Sequence, residues 1–411
     1  MNYVVYAIPF FVLAVLLELV WGLARQRNTY QLADTLNSLQ LGTLSRLRGV
    51  LHLGLLGVTF EAATGGWGLF DIDASNPWVW ASVFVAYDLC YYFSHRYGHE
   101  WRILWASHVV HHQSEEFNLS TALRQTSTGW LNGVFYLPLY VLGVPVELMI
   151  SVGSLNLIYQ FWVHTEHVRR LGVLEWVLVT PSNHRVHHAK NPQYLDRNYG
   201  GVFIVWDRLF GTFQDELPSE PCRYGTTRQL ASWNPVWANV HIWGDGLRQM
   251  WVTPRWRDKV GLWFKSPAWD APGVVYPPAS WQAQKFRPTS SVYTQVLSFV
   301  HFVLHVVAVL SFVDVASAWP PVEVVLTAIW LTFGFVVQGY LLEGRAEAFG
   351  WELLRVASGL ALALFVLTQI DPGPLSAYCG LSFLAALPLL RDRKVSPSMQ
   401  QGAEPSFETE S

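Results

Sequence analysis

Long apolar runs separated by short polar stretches fill the first 165 residues and return after residue 290, enclosing a long polar middle. Such a run, wound as a helix, crosses a hydrocarbon core ~30 Å thick. The pattern predicts spans at roughly 4–24, 49–70, 77–94, 129–145 and 147–163, then at 293–313, 320–342, 352–370 and 374–390. Pro138, Pro145 and the glycines around them make 129–163 a hairpin of shortish helices. The first run has no basic leader and no small-residue cleavage site, so it reads as a retained helix rather than a cleaved signal. Residues 189–290 show little 3.6-residue periodicity and read as a cap of short helices lying against the membrane. The tail after Lys394, with its Ser, Gln and Glu, reads as disordered.

Basic residues orient this array. Arg25 and Arg27, Arg46 and Arg48, Arg96, Arg102 and Arg124, and Arg391, Arg393 and Lys394 all fall on one side when spans are counted. The excess of positive charge makes that side cytoplasmic. The opposite loops, around 71–76, 314–319 and 371–374, carry Asp and almost no Lys or Arg. The fold class expected is therefore all-α: a polytopic membrane protein of about nine spans, its N-terminus outside and its cap cytoplasmic.

Composition agrees. Charged residues are 14% of the 411 and hydrophobic ones 51%, with 21 Trp, where soluble domains carry roughly a quarter charged. Trp at this density suits the two interfacial belts of a bilayer. A net charge of −3 leaves no basic field for nucleic acid. Cys90, Cys222 and Cys379 are too few and too scattered for a disulfide framework or a thiolate metal site.

Any chemistry must then rest on histidine and carboxylate. Ten of the 14 histidines fall in four tight groups: His95 and His99; His108, His111 and His112; His164 and His167; His184, His187 and His188. On a helix each group puts its imidazoles on one face. Every group stands at or near a predicted cytoplasmic helix end, so four faces can close on one pocket. Neutral imidazole suits late first-row metals, and one metal takes at most about six ligands. Eight to ten histidines overfill one site and suit two. An all-nitrogen, thiol-free cage points to iron that meets dioxygen, and the donor set by itself leaves zinc and copper open. A zinc protease motif fails on inspection, because Ile103 stands where the second His of an HExxH would be.

HRYGHE, HVVHH and NHRVHH, in this order between membrane helices, resemble the membrane fatty acid hydroxylase/sterol desaturase superfamily. More narrowly, HHQSEEFNLSTALRQ, YQFWVHTEH, TPSNHRVHHAKN and NYGGVFIVWDRLFGTF resemble its alkylglycerol monooxygenase branch, as does the extra group of helices after residue 290. The resemblance implies an O2-dependent, non-haem di-iron lipid oxygenase. Its metal ligands map to His95, His99, His108, His111, His112, His184, His187 and His188, with His164 as a ninth. Glu100 maps to the carboxylate that follows the first box. His167 departs from the pattern, and it and Asn183 are candidates for orienting ligands from behind. At least one of Asp88, Glu115, Glu116 and Asn118 is expected to steady a ligand imidazole through its other nitrogen. The domains expected are a catalytic unit with its cap over 1–290, further spans over 291–394, and a tail over 395–411.

The resemblance also implies hydroxylation next to an ether oxygen, giving fatty aldehyde and glycerol, with tetrahydrobiopterin as reductant. No cytochrome b5-like segment is attached, so electrons come from another molecule: a reduced pterin, or a ferredoxin or cytochrome b5-type donor. The partners are a lipid and O2, and the membrane is a bacterial inner membrane or the endoplasmic reticulum. The nearer alternative is a hydroxylase or desaturase of a sterol, fatty acyl chain or carotenoid. The distant one is a membrane metal transporter or metal-binding protein. His301 and His305, at i and i+4 in a predicted span, read as hydrogen-bonding to neighbouring helices or lining a lipid channel. His52 and His241 read as structural.

Overall fold

The computed structural model describes residues 2–50, 67–274, 276, 278–365 and 373–386. Within them every regular element is helical, and strand-like pairing is limited to the isolated bridges Leu178–Phe203 and Ala189–Tyr224.

α1 (Tyr3–Ala24) is apolar on nearly every side and buries only Val15, Glu18 and Gly22. A helix apolar all round belongs in lipid or in a core. Its inner edge meets α7 (Val146–Trp162), where Phe11 stacks on Phe161 with ring centroids 4.1 Å apart. α2 (Leu32–Val50) lies beside the C-terminal bundle of α12 (Val292–Val315), α13 (Pro321–Leu342), α14 (Ala348–Phe365) and α15 (Gly373–Ala386). Leu44 and Leu47 of α2 share one core with Val309, Phe312, Leu331, Phe335 and Val356.

By length and composition, three described helices can cross a membrane: Tyr3–Ala24, Val292–Ala318 and Pro321–Leu342. They mark the chain as an integral membrane protein. The remaining predicted spans differ. Residues 77–94 are the first part of a longer helix, α3 (Pro77–Glu100), begun by Pro77 behind the Asn76 cap. The stretch 129–163 breaks into a 3-10 turn (Gly129–Tyr136), α6 (Leu137–Leu142) and the 17-residue α7. Gly143, at φ 98°, closes α6 in a left-handed turn, and Pro145 lacks the N–H that continuing would need. The predicted spans 352–370 and 374–390 match α14 and α15 as far as these are described. Most of 49–70, with His52, lies outside the described residues, as do Arg391, Arg393, Lys394 and the tail.

The site is assembled from α3, α4 (Arg102–His112), the end of α7, and α8 (Pro181–His188). Trp101, extended at φ −113° and ψ 124°, breaks α3 from α4 and lets α4 fold back along it. α8 starts on a capping box in which Thr180 and Asn183 satisfy each other's backbone, with Pro181 in its first turn. The polar middle is more regular than its periodicity suggested. Besides α9 (Val205–Phe210) and α11 (Trp256–Gly261), it contains the 18-residue α10 (Pro235–Val252), capped by Asn234.

Candidate metal centre

Nine histidines converge, in two groups. His95, His99, His108, His112 and His187 form one; His111, His164, His184 and His188 form the other. In each, one nitrogen per residue lies within 4.8 Å of all the others. α4 and α8 are shared walls. His108 and His112 face the first group while His111 faces the second; His184 and His188 face the second while His187 faces the first. Each HxxHH box thus divides in the same way, in mirror order. The two groups touch where the rings of His112 and His188 stack at 4.4 Å.

What stands behind the rings decides which nitrogen is free. His95 Nδ1 donates to the Tyr199 carbonyl at 2.8 Å and His187 Nδ1 to that of Arg197 at 3.0 Å. In the second group His164 Nδ1 donates to the Gln160 carbonyl at 2.8 Å and His111 Nδ1 to that of Arg124 at 3.2 Å. A carbonyl only accepts, so these four rings carry their proton on Nδ1 and a lone pair on Nε2. His111 Nε2 and His164 Nε2 nevertheless face each other at 3.2 Å. Two lone pairs at that distance repel unless a cation lies between them. Elsewhere in the two groups Nε2–Nε2 distances run from 2.9 Å (His184–His164) through 3.0 Å (His95–His108) to 3.2 Å (His187–His112). Neighbouring ligands of a metal with bonds of about 2.1 Å stand about 3 Å apart. The donor set fits metal ions.

Burial works in the same direction. It holds His95, His108, His112, His164, His184, His187 and His188 well below the ordinary imidazole range, with neighbouring imidazoles adding to the effect. It lowers His111 to about 4. All eight are neutral at pH 7, the form that binds metal.

The residues expected behind the ligands hold loops rather than rings. Asp88, fully buried, accepts from the backbone N–H of Val202 (2.9 Å) and Phe203 (3.0 Å), Trp206 Nε1 (3.0 Å) and Asn156 Nδ2 (2.7 Å). Asp207 accepts from the N–H of Tyr199 (2.7 Å) and Gly200 (2.8 Å). Together they fix the turn that presents the Arg197 and Tyr199 carbonyls. Gly201 is required there, since a Cβ would come within 2.8 Å of Asp88 Oδ1. Glu115 accepts from the Phe286 N–H at 2.6 Å, and Glu116 pairs with Lys285 and Arg287. Asn118 caps α5 (Leu119–Ala122) and donates to the Thr29 carbonyl at 2.7 Å. The expected direct bond from one of these four to an imidazole is thus replaced by backbone carbonyls. Asn183 is spent on the α8 cap.

Glu100 lies outside both groups, its carboxylate 2.7 Å from Arg96 Nε and a third exposed. His167 also lies outside them, against Gly22 of α1. Arg124 is buried and donates to the Val110 carbonyl at 2.7 Å. Arg185 is clamped by Glu216 at 2.8 and 2.7 Å. It donates to the Thr165 carbonyl at 3.0 Å and that of Val168 at 2.8 Å, closing the loop after His164. A buried Arg in a box of histidines was the available signal.

Residues 80–212 match the fatty acid hydroxylase family model. The chain is 36% identical to human alkylglycerol monooxygenase over 377 residues, 89% of this chain and 83% of that protein. It is 32% identical to the Xenopus tropicalis alkylglycerol monooxygenase over 86% of this chain and 80% of that one. An ornithine lipid hydroxylase of Rhizobium tropici is 29% identical over 34% of this chain and 43% of its own. No solved structure matches the chain significantly.

Proposed function

Because the chain belongs to the fatty acid hydroxylase family, and within it to the alkylglycerol monooxygenases, we propose that it hydroxylates the ether-adjacent carbon of an alkylglycerol. It is a membrane lipid monooxygenase; the ether substrate is the finer assignment. One atom of O2 enters the C–H bond, and the other leaves as water with two protons and two electrons. The hemiacetal so formed breaks its C–O bond to give a fatty aldehyde and glycerol. The electrons come from a separate donor, a reduced pterin such as tetrahydrobiopterin in preference to a ferredoxin or cytochrome b5. The nine-span count and the cytoplasmic placing of the site belong to the same reading, supported by the one-sided basic residues.

Two irons would be held, one by the five-histidine group and one by the four-histidine group. The facing lone pairs of His111 and His164 carry this reading. Iron in these sites supplies the activation of O2 and the removal of hydrogen from carbon. The protein's part is to keep its imidazoles neutral by burial and to aim Nε2 inward by tying Nδ1 to carbonyls. The purified enzyme should convert an alkylglycerol to fatty aldehyde when reduced pterin is supplied. Failure to form aldehyde, with oxidation of a sterol or acyl chain under a ferredoxin or cytochrome donor, would overturn the ether-lipid reading.

A further inference from the structure

Glu18 is out of place by composition. It sits six residues before the end of an apolar membrane helix, where a carboxylate is costly and usually marks a use, and it is only 8% exposed. Its oxygens are filled from three other segments. Oε2 accepts from the Tyr30 hydroxyl at 2.5 Å and from the Leu119 N–H at 2.8 Å, and Oε1 accepts from the Thr165 hydroxyl.

Two of these three donors adjoin supports of the four-histidine group. Thr165 directly follows His164, which alone among the nine imidazoles is carried outside a helix. The His164 backbone is held only loosely from α7, by a 3.4 Å bond from its N–H to the Phe161 carbonyl. Leu119 opens α5, and the chain leaving α5 presents the Arg124 carbonyl to His111 Nδ1. His164 and His111 are the pair whose lone pairs face each other. The five-histidine group is supported from the 197–207 loop instead, which Glu18 does not touch.

We propose that Glu18 is a positioning residue that seats His164 and His111, so that the first membrane helix holds the four-histidine metal site together. The inference rests on the two-metal reading above. Replacing the carboxylate with a methyl leaves the buried Thr165 hydroxyl and the partly buried Tyr30 hydroxyl and Leu119 N–H without this acceptor, and those segments shift. The five-histidine group keeps all its supports.

The test counts Fe(II) bound per chain, added anaerobically to metal-stripped full-length protein in detergent, with thermal unfolding measured alongside. The parent should take two irons and Glu18→Ala one. Glu18→Gln keeps the length and one acceptor oxygen and should again take two. Thr165→Val, close to isosteric, removes the Oε1 contact together with the acceptor that the hydroxyl offers to the His167 N–H at 3.1 Å, and should weaken uptake of one iron on the order of tenfold. Adding His164→Ala to Glu18→Ala should cost no further iron, whereas adding His95→Ala should cost the second. Two irons at parental affinity in both Glu18→Ala and Thr165→Val would overturn the inference. So would equal loss of both irons in a Thr165→Val protein that unfolds like the parent. A parent that binds fewer than two irons overturns the two-metal reading and this inference with it, before any variant is compared.

Discussion

Among the described residues the chain buries histidines in two places and uses them in opposite ways. In the C-terminal bundle His301 and His305 are 3% and 1% exposed, as hidden as the seven buried histidines of the candidate metal centre. Their neighbours, however, are unlike them. His301 Nδ1 donates to Gln338, and its Nε2 lies 3.3 Å from Glu352 Oε2. His305 Nδ1 shares a hydrogen bond with the Tyr378 hydroxyl at 2.7 Å. Arg355 grips Glu352 through two bonds of 2.8 and 2.6 Å and reaches Tyr378 at 3.0 Å. There each Nδ1 meets an unlike group and a cation meets an anion, which ties α12, α13, α14 and α15 across their apolar core. In the metal centre imidazole meets imidazole, with a carbonyl behind each fixed ring. Unlike groups complete one another, whereas like groups that converge need something between them.

That contrast breaks most sharply at a ligand. His187→Ala should remove iron from the five-histidine group and lower aldehyde formation by at least about 100-fold, while His305→Ala keeps both irons. Loss of iron from the His305 variant would erase the distinction between the two clusters. The next effect is on stability alone. Arg355→Met deprives the buried Glu352 of its guanidinium, leaving only His301 beside it, and should cost about 3–5 kcal/mol, read as a fall in Tm with the iron count unchanged. Iron lost in step with stability would mean the bundle reaches into the centre.

The smallest effect concerns the carbonyl supports. Burial raises the Asp207 carboxyl from 3.8 to about 6. The folded state therefore holds that proton more tightly than the unfolded chain does. This contribution favours folding below about pH 3.8 and is lost as pH rises through about 6. Asp207→Asn should flatten the change of stability across that window in the metal-free protein, and an unaltered slope would deny the carboxyl this role.

The nine imidazoles were legible because their spacing is a side-chain pattern. Their division into two groups was not, although helix geometry contains it. Successive residues turn by about 100°, so His108 and His112 lie about 40° apart while His111 lies about 60° to the other side. Treating i, i+3 and i+4 as one face merged two directions. The carbonyls of Gln160, Arg124, Arg197 and Tyr199 were invisible because any residue carries one; only the glycines and acids that shape their loops leave a trace. The break within 129–163 was legible, because Pro145 and the glycines are visible in the sequence; the 3-10 turn that opens the first of its two helices was not.

α4 and α8 each serve both metal groups, and this gives the centre a built-in gauge. The separation of the two histidine groups is written in the pitch of two short helices, not in flexible connections. Rotating or sliding either helix tightens one pocket while loosening the other, so the pockets cannot drift apart independently. A single residue inserted between His108 and His111, or between His184 and His187, would put both out of register at once. The spacing HxxHH therefore records a distance as well as a set of ligands.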